Sequence, residues 1–418
     1  MLPTLSASLS LTVLAVFVSV VGSAKPKDPV APGKPKQGSS PVGHASWTLG
    51  LQLYKALRKE PSPTNTIFSP LLLTGSLRAL SGGAGGSTAG QLQELLKPTA
   101  EKENLREALT DALKSIREAN GTSFSLLSSS ALFSKHPPGL DQNFLKAAQA
   151  QYGLDHVPLG SGDRQASRET IHRWAKAGMR GVETEQLKEE LSDQSGALIL
   201  ANALHFKGLW DRAFDEENQD PRTFLGNKYT KVPMMHRAGV YLHYEDVENM
   251  VQVLELGLWG GKASVLLLLP FHVENLSRLD GLLSPALVTK WLGRMSEMSV
   301  AVSLPRVNVT SALSLQKQLA ALGLKDAWDQ KTADFSGVSG GQGRGKLHLG
   351  GVFHWASLEL SSATGRPDGQ DDDEHVENSK LFYADHPFII LVKDNSTGAL
   401  LLMGALDQTN GPALHDEL

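Results

Sequence analysis

The chain has 418 residues, 41% of them apolar, with 40 Lys and Arg against 44 Asp and Glu and a formal net charge of −4. It is long enough to bury a large core, and its mixed charge lacks the basic footprint of a nucleic-acid binder. With no cysteine at all, cysteine catalysis, disulfide exchange and thiolate metal sites are excluded.

The first feature in chain order is an apolar run from Leu9 to Val21, followed by Gly22-Ser23-Ala24 and the polar Lys25-Pro26-Lys27. The run is too short to span a bilayer comfortably, so residues 1–24 read as a secretory signal peptide, although no Lys or Arg precedes it. Lys25 to His44 is rich in Pro, Lys, Gly and Ser and reads as a disordered leader. From Ala45 patterned segments follow without a linker to about Gln408, which predicts one large domain over 45–408 and a tail over 409–418. That tail ends His415-Asp416-Glu417-Leu418, a receptor-read address for retrieval to the endoplasmic reticulum. Sequons at Asn120, Asn275, Asn308 and Asn395 are candidate glycosylation sites in that compartment. No second long apolar segment occurs, so no membrane insertion is expected, and no metal or cofactor site is expected either.

The first third reads as mostly helical. Trp47, Leu51, Tyr54 and Leu57 have helical spacing, and Leu71–Leu80, Gln91–Leu96, Leu105–Ile116, Phe144–Tyr152 and Ser167–Ala177 follow. Strands are predicted at Ser123–Phe133, Ala197–Phe206, Val240–Tyr244, Val251–Leu256, Ala263–Leu269, Val300–Leu304, Leu347–Leu360, Phe388–Val392 and Leu400–Ala405. Val265 to Leu269 is apolar throughout, as in a strand buried on both faces. Helices early and strands late predict an α+β fold.

Several segments resemble the serpin superfamily. Asn65-Thr66-Ile67-Phe68-Ser69-Pro70 is similar to the serpin N-x-x-F-S-P segment, and Asn202 to Phe214 to its N-A-x-x-F-K-G-x-W…F segment. Val232-Pro233-Met234-Met235 resembles the V-x-M-M strand, and Phe382 to Ile390 the C-terminal signature. Their order and spacing imply the serpin fold: a helical N-terminal part on three β-sheets, with an exposed reactive-centre loop. Most serpins inhibit proteases by inserting that loop, once cleaved, into the main sheet. Here the loop runs Ser361-Ser362-Ala363-Thr364-Gly365-Arg366-Pro367-Asp368, followed by Asp371-Asp372-Asp373-Glu374. Pro367 lacks the N–H of a central strand, and burying Arg366, Asp368 or the acidic run unpaired is costly. Inhibition by insertion is therefore not expected, and neither is an enzymatic activity.

Within the superfamily, Ser379 to Phe388 is similar to the collagen-binding serpins of the endoplasmic reticulum, the colligins, as a diverged member. The resemblance implies a non-inhibitory chaperone that binds the folded procollagen triple helix at Gly-X-Arg sites, with Asp385, Leu381 and Tyr383 at the contact. A triple helix is a stiff polyproline-II rod with no pocket. A carboxylate is the natural bidentate partner for its Arg, worth about 1.5–3 kcal/mol. Leu381, Tyr383 and Asp385 stand at i, i+2 and i+4, so on a strand they share one face. By the same resemblance Arg222, Leu225, His272 and Ser303 flank the surface, and His236, His354 and His386 are candidate sensors for release at lower pH. The His-rich stretch that the group has after Trp210 is replaced by Asp211 to Glu217. The partners implied are procollagen and the retrieval receptor. A serine-protease inhibitor of the endoplasmic reticulum, or a paralogue with other clients, is the competing expectation.

Overall fold

The computed structural model describes residues 40–59, 65–96, 104–135, 140–160, 163–182, 196–214, 220–273, 276–340, 347–366 and 378–413. All of them lie in the compact unit Lys36–Leu418. The signal-peptide and most of the leader readings, the Asn275 sequon, the acidic run of the loop and the His415–Leu418 terminus fall outside the described residues.

Polar caps start the helices. Ser40 caps α1 (Pro41–Leu57) by accepting from the Gly43 N–H, so the helix begins inside the segment expected as disordered leader. After β1 (Thr66–Phe68), Ser69 caps α2 (Pro70–Ser81) in the same way, with Pro70 at the first helical position. Next come α3 (Gly86–Leu95), α4 (Asn104–Ala119) and β2 (Phe124–Lys135). α5 (Gln142–Tyr152) runs between an Asp141 cap and the left-handed Gly153, φ 66°. β3 (Leu154–Leu159), α6 (Arg164–Gly178) and β4 (Ala197–Gly208) complete the first half.

The second half holds β5 (Pro221–Leu225), β6 (Tyr229–Asp246), β7 (Val251–Gly257), β8 (Ala263–Pro270), α7 (Leu276–Leu282), α8 (Pro285–Arg294) and β9 (Ser296–Pro305). β10 (Val307–Ser314), α9 (Gln316–Ala321), β11 (His348–Leu360), β12 (Lys380–Tyr383), β13 (Phe388–Asp394) and β14 (Leu400–Leu406) follow. One sheet has the order β10-β11-β4-β2-β3. The other runs β1-β14-β13-β8-β7-β6-β9-β12, with β5 added on β6. The fold is α+β, and β8 is buried along its whole length.

Two buried polar clusters tie the layers together. The Asn202 Oδ1 on β4 accepts from the Ser76 and Ser130 hydroxyls, each at 2.7 Å. Arg58 is buried between Asp280 and Asp407, at 2.8 and 2.7 Å, and joins the end of α1 to α7 and to the segment after β14.

The central strands β4 and β11 pair directly and in parallel, from Ala197 with His348 to Lys207 with Glu359. Beyond β11 the chain runs along Trp210. The Trp210 N–H donates to Ala363 O at 3.0 Å, the Gly365 N–H to Trp210 O at 3.2 Å, and the Trp210 indole to Ser361 O at 2.7 Å. Gly365 must be glycine here, because a Cβ would stand 2.2 Å from the Trp259 ring. The base of the loop is thus hydrogen-bonded beside the sheet rather than between β4 and β11.

Candidate functional site

β12 is the end strand of the larger sheet and pairs in parallel with β9, Leu381 opposite Ala301 and Tyr383 opposite Ser303. β9 in turn pairs antiparallel with β6, which sets His236 opposite Ser303. Tyr383, Ser303 and His236 therefore form one row across three strands. Alternation decides which side chains of β12 face outward. Leu381 is 61% exposed and Tyr383 half-buried, while Phe382 between them is buried.

The strand ends at Tyr383, so Asp385 lies in the following coil rather than on β12 as the i, i+2, i+4 spacing predicts. The alternation of burial continues nonetheless. Asp385 remains half-exposed between the buried Ala384 and His386, and the Ala384 N–H donates to Ser303 O at 2.9 Å. The Asp385 carbonyl accepts the Leu225 N–H at 2.7 Å, which brings Leu225 and the β5–β6 hairpin to the same edge.

The side chains form two short chains of polar contacts. In the first, His236 Nδ1 meets the Ser303 hydroxyl at 2.8 Å and Nε2 meets Asp220 Oδ1 at 2.9 Å, and Asp220 also pairs with Arg222. The His236 hydrogen bond, reinforced by Arg222, holds the Asp220 carboxyl below its usual range. The Tyr383 ring lies 6.4 Å from the His236 ring, and burial pushes its phenol up. In the second, His386 Nδ1 meets Asp385 Oδ1 at 2.8 Å and Nε2 donates to Pro270 O at 2.8 Å. Both partners of the ring are acceptors, and a neutral imidazole has a single N–H to share between them. Among the described residues Asp385 Oδ2 has no partner, and 30% of the side chain is open to solvent.

These contacts bring Leu381, Tyr383, Asp385, Arg222, Leu225 and His236 to one surface. Ser303 lies buried beneath it and orients His236. His272 is exposed two residues beyond Pro270, the acceptor of His386. His354 is elsewhere: it is buried on β11, and its Nε2 accepts the Ser69 N–H at 2.9 Å. Burial lowers its pKa to about 3, which makes it a core acceptor rather than a sensor. Sequence reasoning missed Asp220, which joins Arg222 to His236. The clue was its place two residues before Arg222, and the Met234 N–H, which donates to Asp220 O at 3.0 Å, sets it beside His236.

Of the described sequons, Asn120 is exposed but exchanges both amide groups with the Leu126 backbone, at 2.7 and 2.8 Å. Asn395 is half-buried and donates to Gly261 O at 3.1 Å. Asn308 is exposed on β10, and its Oδ1 accepts from Ser357 at 3.1 Å.

The model of the family "Serpin (serine protease inhibitor)" matches residues 44–408. The chain belongs to the serpin family. Serpin H1 of Mus musculus is 34% identical over 404 residues, covering 94% of this chain and 95% of that protein. Serpin H1 of Gallus gallus is 34% identical over 380 residues, covering 89% and 92%. The crystal structure of uncleaved ovalbumin superposes with a TM-score of 0.77 at 26% identity, over 88% of this chain and 99% of that one. The chain is thus a diverged serpin that resembles the colligins, as its C-terminal segment implies.

Proposed function

We propose that this serpin is a non-enzymatic, non-inhibitory chaperone of the endoplasmic-reticulum lumen that binds folded procollagen. The observation that carries the reading is the outer β12 edge. There an exposed Leu381, the Tyr383 ring and a carboxylate with one open oxygen lie side by side. A triple helix offers only outward side chains along a rod, and an edge of this kind can lie against it. Asp385 Oδ2 takes the client guanidinium, and Leu381 and Tyr383 cover neighbouring imino-acid rings. Arg222 is held back by Asp220 and so does not compete for Asp385.

Release follows from the same geometry. A proton on His386 strengthens its hold on Asp385 Oδ1 and draws the carboxylate away from the client. The His415–Leu418 address would return the empty protein. Triple-helical peptides with and without Arg test the reading: capture of the Arg peptide alone supports it, and equal capture of both refutes it. The inhibitor reading predicts instead a denaturant-resistant complex with a serine protease.

A further inference from the structure

Away from the Asp385 surface, α2, α4 and α5 enclose a cleft of about 420 Å³ that carries two arginines. Arg78, half-buried, comes from the last turn of α2, and Arg106, exposed, from the first turn of α4. Phe144, Ala147 and Gln151 reach the cleft because their spacing puts them on one face of α5, and Tyr152 follows them. Burial pushes the Tyr152 phenol up, and Arg78 and Arg106, which line the same cleft, pull it back. Among the described residues no carboxylate pairs with either arginine. Behind Tyr152 lies a second cavity of about 190 Å³, walled by Leu72, Leu113, Ile116, Leu126 and Leu204.

Two planar guanidiniums above an aromatic and aliphatic wall select for one kind of molecule. A guanidinium prefers a planar or tetrahedral oxyanion, whereas Phe144 and Tyr152 offer ring faces to an apolar body. A volume of about 420 Å³ lies within the range of small-molecule sites, roughly 300–1,000 Å³. We propose that this cleft binds a small amphipathic anion, a carboxylate or sulfonate on an apolar body. The head group sits between Arg78 and Arg106, and the body lies against Phe144, Ala147 and Tyr152. The site stands apart from the β12 edge and does not depend on a collagen client.

The test is calorimetric titration of the full chain with naphthalene-2-carboxylate and with its neutral counterpart, 2-naphthalenemethanol. The carboxylate is expected to bind one to one, at least about tenfold tighter than the alcohol. Arg106→Gln, at an exposed position, is expected to weaken the carboxylate about tenfold, and Ala147→Phe to block both ligands, each with the unfolding midpoint unchanged. Asp385→Asn is expected to leave the titration as it is, which separates this site from the collagen reading. Equal affinity for acid and alcohol, no saturable binding, or full affinity in both cleft variants would overturn the proposal.

Discussion

The backbone N–H of Leu225 donates to the carbonyl oxygen of Asp385 at 2.7 Å and fastens the β5–β6 hairpin to the coil after β12. Residues some 160 positions apart thereby hold a fixed geometry, and the Asp385 side chain is aimed from a tethered backbone. A client contact built on such a carboxylate loses little entropy on binding.

The apolar part of the contact is separable from the fold. Leu381 is 61% exposed and the Tyr383 ring half-buried, so Leu381→Ala should leave the thermal midpoint unchanged. It should weaken Arg-peptide binding by about 0.5–1.5 kcal/mol, and Tyr383→Ala by about 1–2 kcal/mol. Titration of both variants with one triple-helical peptide checks this.

Acid release should depend on His386 rather than on Asp220. Asp220 is held below the ordinary carboxylate range by His236 and Arg222, so it stays ionised under mild acid and its pair with His236 persists. Wild type should bind the Arg peptide more weakly at about pH 6 than at about pH 7.5, and His386→Gln should lose much of that difference. An unchanged pH dependence in the variant would remove His386 from the mechanism.

Global stability should also fall in acid, for a different reason. His354 is fully buried with its pKa lowered from 6.5 to about 3, so the unfolded chain takes up a proton well before the native chain does. Stability is therefore full above about pH 6.5 and falls as pH drops toward about 3, by up to about 1.4 kcal/mol per unit for this one group. Burial lowers His205, His243 and His348 in the same direction. His354→Gln keeps an acceptor for the Ser69 N–H, and urea midpoints at about pH 7 and about pH 5 should show a shallower slope for it.

Arg58 tests the buried ion cluster. Its side chain is 3% exposed and neutralises both Asp280 and Asp407. Arg58→Met leaves two carboxylates buried without their partner and should cost about 3–5 kcal/mol in chemical denaturation at neutral pH.

Long apolar runs such as β8, and capped helices such as α2, were legible in the sequence because local pattern and burial agree there. The short strands were not. β12 pairs only with the distant β9, β5 is five residues long and starts at Pro221, and β6 was read in two pieces because Arg237-Ala238-Gly239 breaks its apolar pattern. At the candidate site, Leu381 and Tyr383 follow from alternation, while Asp385 leaves the strand and is placed by the Leu225 tether instead. His354 matched a family position in sequence, yet its lack of solvent was visible only once β1 and the Ser69 turn packed on β11. Asp220 was marked in the sequence only by standing two residues before Arg222, since its contact with His236 comes from the backbone bond between Met234 and Asp220.

The most direct test titrates wild type and Asp385→Asn with an Arg-containing triple-helical peptide and its Arg-free counterpart at neutral pH. Wild type should bind only the Arg peptide, and Asp385→Asn should lose that binding by about tenfold or more with an unchanged melting temperature. Equal affinity of both proteins for both peptides would contradict the carboxylate–guanidinium contact and the function built on it.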